Sequence, residues 1–107
     1  MRKILVIDND AYSLLLISDF LALNNFQVLT ADNSRSGLQL ARGEQPDLII
    51  CELELPEQNG YEILRQLRDE PITASIPIWF LSFEADMATR RLALQQGADG
   101  YFHKPVN

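Results

Sequence analysis

The sequence predicts an α/β domain built on a single five-stranded parallel sheet. Three observations lead there. Short apolar runs alternate with helical patterns along the whole chain. The run Leu48-Ile49-Ile50-Cys51 lacks polar alternation, as expected of a strand covered on both faces. Carboxylates and hydroxyls gather where the runs stop, at Asp8-Asn9-Asp10, Glu52 and Ser82. In open parallel sheets, ligands bind outside the carboxyl ends of the strands. Glu52 therefore faces the expected crevice, unless it is simply a solvated loop acid.

Each element follows from its own residues. Lys3-Ile4-Leu5-Val6-Ile7 is a short β-rich run, and Asp10 is placed to cap the helix that follows. That helix spans Ala11 to Leu23, with Leu14, Ile17 and Leu21 and their neighbours Leu15 and Phe20 forming a wide apolar face. Asn24-Asn25 ends it. Phe26 to Ala31 is the second strand, and Asp32-Asn33-Ser34 turns the chain into a helix from Ser34 to Arg42. Leu38 and Ala41 point inward there, Gly37 weakens the helix by ~1 kcal/mol relative to alanine, and Gly43 is the expected stop. Pro46-Asp47 leads into the third strand, and Pro56 with Asn59-Gly60 turns the chain after it. Tyr61, Leu64 and Leu67 recur at helical spacing until Pro71. Ile76 to Leu81 is the fourth strand, Ala85 to Gln96 the fourth helix with Gly97 as its cap, and Tyr101-Phe102 a short fifth strand. Five strands in this alternation favour the flavodoxin-like order 2-1-3-4-5 with right-handed crossovers. That order sets Asp8, Asn9 and Glu52 at one mouth, flanked by Ser82 and Lys104.

Composition narrows the function classes. The 107 residues suffice for one domain, residues 1–107, with 47% hydrophobic residues as in ordinary globular chains. Nothing approaches the ~20 apolar residues of a membrane span, and the apolar stretch after Met1-Arg2-Lys3 is too short for a signal peptide. Fifteen acids against nine Lys and Arg give a net charge of -6, and no basic cluster exceeds a pair, so no nucleic-acid binding by this domain is expected. The single cysteine, Cys51, reads as a buried filler, and a cytoplasmic setting is the default.

Carboxylates with one lysine and one hydroxyl suit a hard cation and a phosphoryl group. The plainer alternative is that Asp8 and Asp10 cap a helix and Lys104 makes a salt bridge. No glycine-rich phosphate loop is present, and His103 alone makes neither a triad nor a zinc site and reads as a solvent-facing loop residue.

Lys3 to Asp10, Pro46 to Gly60, Ile76 to Ser82 and Gly97 to Pro105 together resemble the response-regulator receiver domains of two-component signalling. In that family an aspartate ending the third strand accepts a phosphoryl group from a histidine kinase, and acids after the first strand help hold Mg²⁺. The resemblance implies Glu52 at the phosphoacceptor position and Asp8 and Asn9 in the acidic pocket. It implies Ser82 and Lys104 as phosphoryl contacts, Tyr101 as the switch aromatic, and a cis Lys104-Pro105 bond. The implied metal site is weak or absent: Asn9, Glu52 and Glu54 as ligands, with Asp8 through water.

Three departures from the family stand out. Glu52 replaces the aspartate and reaches roughly 1.5 Å further. Asn9 brings no charge, although Glu54 points toward the mouth and would restore one. Phe83 replaces a small residue, and its ring either roofs the pocket, packs over Lys104 or lies on the fourth helix. These departures point to a pseudo-receiver that is not an enzyme and acts by phosphorylation-independent protein contact, with a Glu52–Lys104 ion pair. The partner is a protein or an output domain, with a histidine kinase or a homodimer left open. The expected contact face is the fourth helix and fifth strand, including Arg90, Arg91 and Tyr101. The runner-up is a working receiver with weak Mg²⁺-dependent autophosphatase activity; a phosphotransferase-type hydrolase is disfavoured. The family's fifth helix is missing after Lys104-Pro105, so an N-terminal fragment of a longer protein with exposed apolar surface is expected.

Overall fold

The computed structural model describes residues 1–84 and 86–105. Its strands are β1 (Lys3–Ile7), β2 (Gln27–Ala31), β3 (Leu48–Glu52), β4 (Ile78–Ser82) and β5 (Gly100–His103). Its helices are α1 (Ala11–Leu23), α2 (Ser34–Glu44), α3 (Gly60–Asp69) and α4 (Met87–Gln95). The sheet is parallel in the order β2-β1-β3-β4-β5, the flavodoxin-like arrangement expected. The expected start of the fourth helix at Ala85, and Val106-Asn107, lie outside the described residues.

Period-two alternation along the strands divides the core in two. Leu5, Ile7, Ile49, Cys51, Ile78 and Phe80 face α2, α3 and α4, meeting Leu38, Ala41, Ile63, Leu64, Leu67 and Ala93. Ile4, Val6, Ile50 and Leu81 face the other way, toward Ile17 and Leu21 of α1. Each fully buried aliphatic chain, such as Leu67 or Ile78, contributes roughly 1.5–3 kcal/mol relative to exposure.

Local chemistry fixes the helix ends. The Asp10 carboxylate accepts from the Tyr12 N–H at 3.3 Å and the Ser13 hydroxyl at 2.8 Å, capping α1. Asn59 and Glu62 form a reciprocal capping box on α3. Gly37 is explained by space: a Cβ there would lie 2.6 Å from Ile7 Cδ1, so close helix-to-sheet packing offsets its poor helix propensity. Gly97 ends α4 at φ +109, as expected.

Several boundaries differ from expectation. Gly43 does not stop α2. The helix runs to Glu44, and Gln45 takes the left-handed conformation at φ 45 while its N–H bonds the Ala41 carbonyl at 3.1 Å. The fourth strand begins at Ile78, not Ile76, and the second at Gln27, not Phe26. Pro77 has no N–H to pair, and only its carbonyl joins β3, accepting from the Ile49 N–H at 2.9 Å. Leu15 and Phe20 are 59% and 64% exposed, so the buried face of α1 is the narrower Ile17–Leu21 stripe. The helix is apolar nearly all round, and one sheet face engages only one side of it.

Apolar side chains also lie open on the α1 side of the sheet. Leu16 and Leu23 are exposed, and Phe102 stacks on Trp79 with ring centroids 4.7 Å apart. Among the described residues, no helix is long and apolar enough to cross a membrane.

Candidate functional site

The strand order brings the carboxyl ends of β1, β3, β4 and β5 together at one edge. Asp8 follows β1 directly, its own N–H donating to the Ala31 carbonyl at 3.0 Å. Its Oδ1 accepts from the Asp10 N–H at 3.0 Å, which aims Oδ2 inward. Glu52 closes β3, one strand across. Lys104 follows β5 and is tied to β4 by its N–H on the Ser82 carbonyl at 2.7 Å. The Lys104–Pro105 peptide bond is cis.

Those three side chains form one buried charge cluster. Lys104 Nζ lies 2.9 Å from Asp8 Oδ2 and also contacts Glu52 Oε2. The lysine side chain is 2% exposed and that of Asp8 0%. The ammonium thus lies within hydrogen-bond distance of both acids and is their shared cation.

Glu54 enters the mouth from the β3–α3 loop. Its N–H donates to Glu52 Oε1 at 3.3 Å, and its carboxylate accepts the Ser82 hydroxyl. Ser82 Oγ in turn accepts the Glu84 N–H at 3.0 Å. Tyr101 is buried, and its hydroxyl donates to the Glu84 carbonyl at 2.6 Å. It is thus not on the outer surface where Arg90 and Arg91 lie exposed. The Phe83 ring sits with its centroid 4.9 Å from Lys104 Nζ, within cation–π range, and is otherwise 60% exposed. His103 belongs to β5 rather than a loop, with Nε2 3.1 Å from the Phe83 carbonyl oxygen. Cys51 is buried, and burial pushes its thiol up, as suits a filler.

Of the residues expected at the mouth, Asp8, Glu52 and Lys104 meet directly, and Ser82 joins through Glu54. Asn9 lies exposed instead, lining a groove with Leu14, Thr30 and Asp32. The residues do not fit a Mg²⁺ ion as arranged. Lys104 already holds the carboxylate oxygens of Asp8 and Glu52, and Glu54 is engaged by Ser82. Among the described residues no group of three His, Cys, Asp or Glu is placed to hold a metal. The Glu54–Ser82 contact escaped sequence reading. The signal was the spacing Glu52-x-Glu54, which sets both acids on one side of an extended chain.

Three carboxylates around one lysine leave the cluster short of positive charge. Burial raises the Glu52 carboxyl most, and Glu54 adds to this against the pull of Lys104, bringing it from 4.5 to about 7. The folded chain therefore binds a proton here that the unfolded chain releases at lower pH. Stability should fall as pH rises from 4.5 through about 7, by on the order of 1–3 kcal/mol. Urea unfolding across that window should show the decline in the wild type and a flatter profile in Glu52→Gln. Parallel profiles would refute the assignment to Glu52.

Comparison with known proteins agrees with this geometry. Residues 4–107 match the profile of the response regulator receiver domain. This chain belongs to the response regulator receiver domain family. It is 31% identical to protein PilH of Pseudomonas aeruginosa over 107 residues, covering 100% of the chain and 88% of PilH. It is 34% identical over 106 residues to the alkaline phosphatase synthesis transcriptional regulatory protein PhoP of Bacillus subtilis, covering 99% of the chain but only 43% of PhoP. The structure of chemotaxis response regulator CheY4 of Vibrio cholerae superposes with a TM-score of 0.93 at 27% identity, covering 100% of this chain and 89% of that one. A Clostridium thermocellum receiver domain gives 0.89 at 32% identity, covering 100% and 85%. The receiver domain is a module of two-component signalling. Such domains are generally signalling modules rather than enzymes in the ordinary sense, typically bind Mg²⁺ at the phosphorylation site, and interact with histidine kinases and output domains.

Proposed function

We propose that this receiver domain regulates by protein contact without being phosphorylated. Glu52 takes the phosphoacceptor position, and the pseudo-receiver reading rests on one observation: its buried carboxylate is engaged by the Lys104 ammonium. A phosphoryl group arriving at Glu52 would have to displace that ammonium from Asp8 and Glu52 together. In-line transfer also depends on placement, and a misplacement of about 1 Å costs on the order of a hundredfold. Asn9 supplies no charge at the mouth, so Mg²⁺ binding is weak or absent, and Asp8 serves as the partner of Lys104.

The imitation of a phosphorylated state is partial, because a carboxylate carries less charge than the roughly -2 of a phosphoryl group. The contact surface is α4 with β5, where Arg90 and Arg91 are exposed, and the partner is a protein or an output domain. The exposed apolar side chains of Leu16, Leu23 and Phe102 on the α1 side offer further surface for a partner. A cytoplasmic setting goes with this role.

The test is incubation with acetyl phosphate and Mg²⁺ followed by intact mass. The expected result is an unchanged mass. A stable adduct of about 80 Da on Glu52 would establish the working receiver, with its autophosphatase activity, instead.

A further inference from the structure

Ser82 presents a single O–H donor, and a serine hydroxyl can give that proton to only one acceptor at a time. Glu54 holds it. The acceptor side of the same oxygen is taken by the Glu84 N–H at 3.0 Å, and the Glu84 carbonyl receives the Tyr101 hydroxyl at 2.6 Å. Through the Glu84 backbone these hydrogen bonds connect the β3–α3 loop, the segment after β4 and β5. The first of them has a charged acceptor, the stronger kind of hydrogen bond. Ser82 is fully buried, whereas Glu54 is exposed, so the link is made by a side chain folding inward from solvent.

We propose that Glu54 is a built-in anionic ligand of the Ser82 hydroxyl, latching the β4–α4 loop to the end of β3 and holding Tyr101 buried without any added anion. This rests on the phosphorylation-independent reading and deepens it. Any external oxyanion seeking the Ser82 proton must first displace Glu54, which is tethered two residues from Glu52 and so present at high effective concentration. Glu54 is a positioning residue, acting on Tyr101 through Ser82 and Glu84.

The experiment compares wild type, Glu54→Ala, Glu54→Gln and Ser82→Ala by NMR, with neither Mg²⁺ nor a phosphoryl donor present. In Glu54→Ala the Glu84 amide should exchange at least about tenfold faster, and the Tyr101 ring signals should shift toward solvent-exposed values. Glu54→Gln retains an acceptor oxygen but loses the charge and should restore the protection only in part. Ser82→Ala also removes the acceptor of the Glu84 N–H, so exchange there should be at least as fast as in Glu54→Ala, and adding Glu54→Ala to Ser82→Ala should add nothing further. Inorganic phosphate should perturb Ser82 and Lys104 signals in Glu54→Ala at concentrations that leave the wild type unchanged. Unaltered Glu84 exchange and Tyr101 signals in Glu54→Ala would overturn the proposal. So would additive effects in the double variant, or equal phosphate responses in the two proteins. Because no donor is used, these results are independent of the mass measurement on Glu52, and either idea can fail alone.

Discussion

Replacing Lys104 with alanine should destabilise the domain by roughly 3–5 kcal/mol near neutral pH, the expected cost of stripping one partner from a buried ion pair. Lys104 is 2% exposed and is the cation against both Asp8 and Glu52, whose side chains are 0% and 5% exposed. Without it two buried carboxylates face each other, and the cheapest response is to bind a proton. Glu52, already raised to about 7, is the group that would take it. The loss should therefore shrink under mildly acidic conditions, where that proton is supplied by the solvent. Lys104→Met separates charge from packing, because it keeps an apolar stem of similar length beneath the Phe83 ring. Urea unfolding should place Lys104→Met nearer to the alanine variant than to the wild type. A methionine variant as stable as the wild type would mean that the stem, not the charge, carries the site. If the Glu52–Lys104 contact also maintains the partner-binding state, both variants should alter affinity for the partner.

The sheet was legible because its apolar runs are short and bounded by turn residues. Leu48 to Cys51 are apolar on both sides and soon meet the Pro56 to Gly60 turn, whereas the equally unbroken run Leu14 to Ile17 sits in a 13-residue helix, so length and flanking residues, not the run alone, mark the strand. Burial was less legible in α1. Leu15 and Phe20 look like core residues, yet the sheet covers only the Ile17–Leu21 stripe, and one-dimensional pattern carries no record of how wide a covering surface is. Gly43 misled for a related reason. A glycine is compatible with a helix stop, but the chain turns where β3 must begin, which places the left-handed residue at Gln45. At the site, topology fixed which strand ends meet, so the neighbourhood of Asp8, Glu52 and Lys104 could be read before any coordinates. The pairing of Glu54 with Ser82 could not, because a loop side chain obeys no period. Nor could the burial of Tyr101 against Glu84, which depends on where the β4–α4 loop settles.

The double variant Glu52→Asp with Asn9→Asp should gain phosphorylation by acetyl phosphate in the presence of Mg²⁺, on the order of a hundredfold above the wild-type background. Shortening the side chain at position 52 draws the carboxylate back by roughly 1.5 Å from Lys104, loosening the contact that fills the pocket. Residue 9 lies exposed at the rim next to Asp8, so aspartate there adds a second acid that completes a hard-cation site when its side chain turns into the mouth. Two obstacles remain in the double variant. Glu54 still occupies the Ser82 hydroxyl, and the Phe83 ring still lies against Lys104. Adding Glu54→Ala distinguishes them. If the double variant is slow and the triple variant fast, the tethered carboxylate was the barrier. If both stay inert while the fold is intact, the ring over Lys104 excludes the donor, and Phe83→Ala in the same background should release it. Intact mass after timed incubation reads each step, and inert protein throughout the series would refute the view that these four positions are what separates this pocket from a phosphorylatable one.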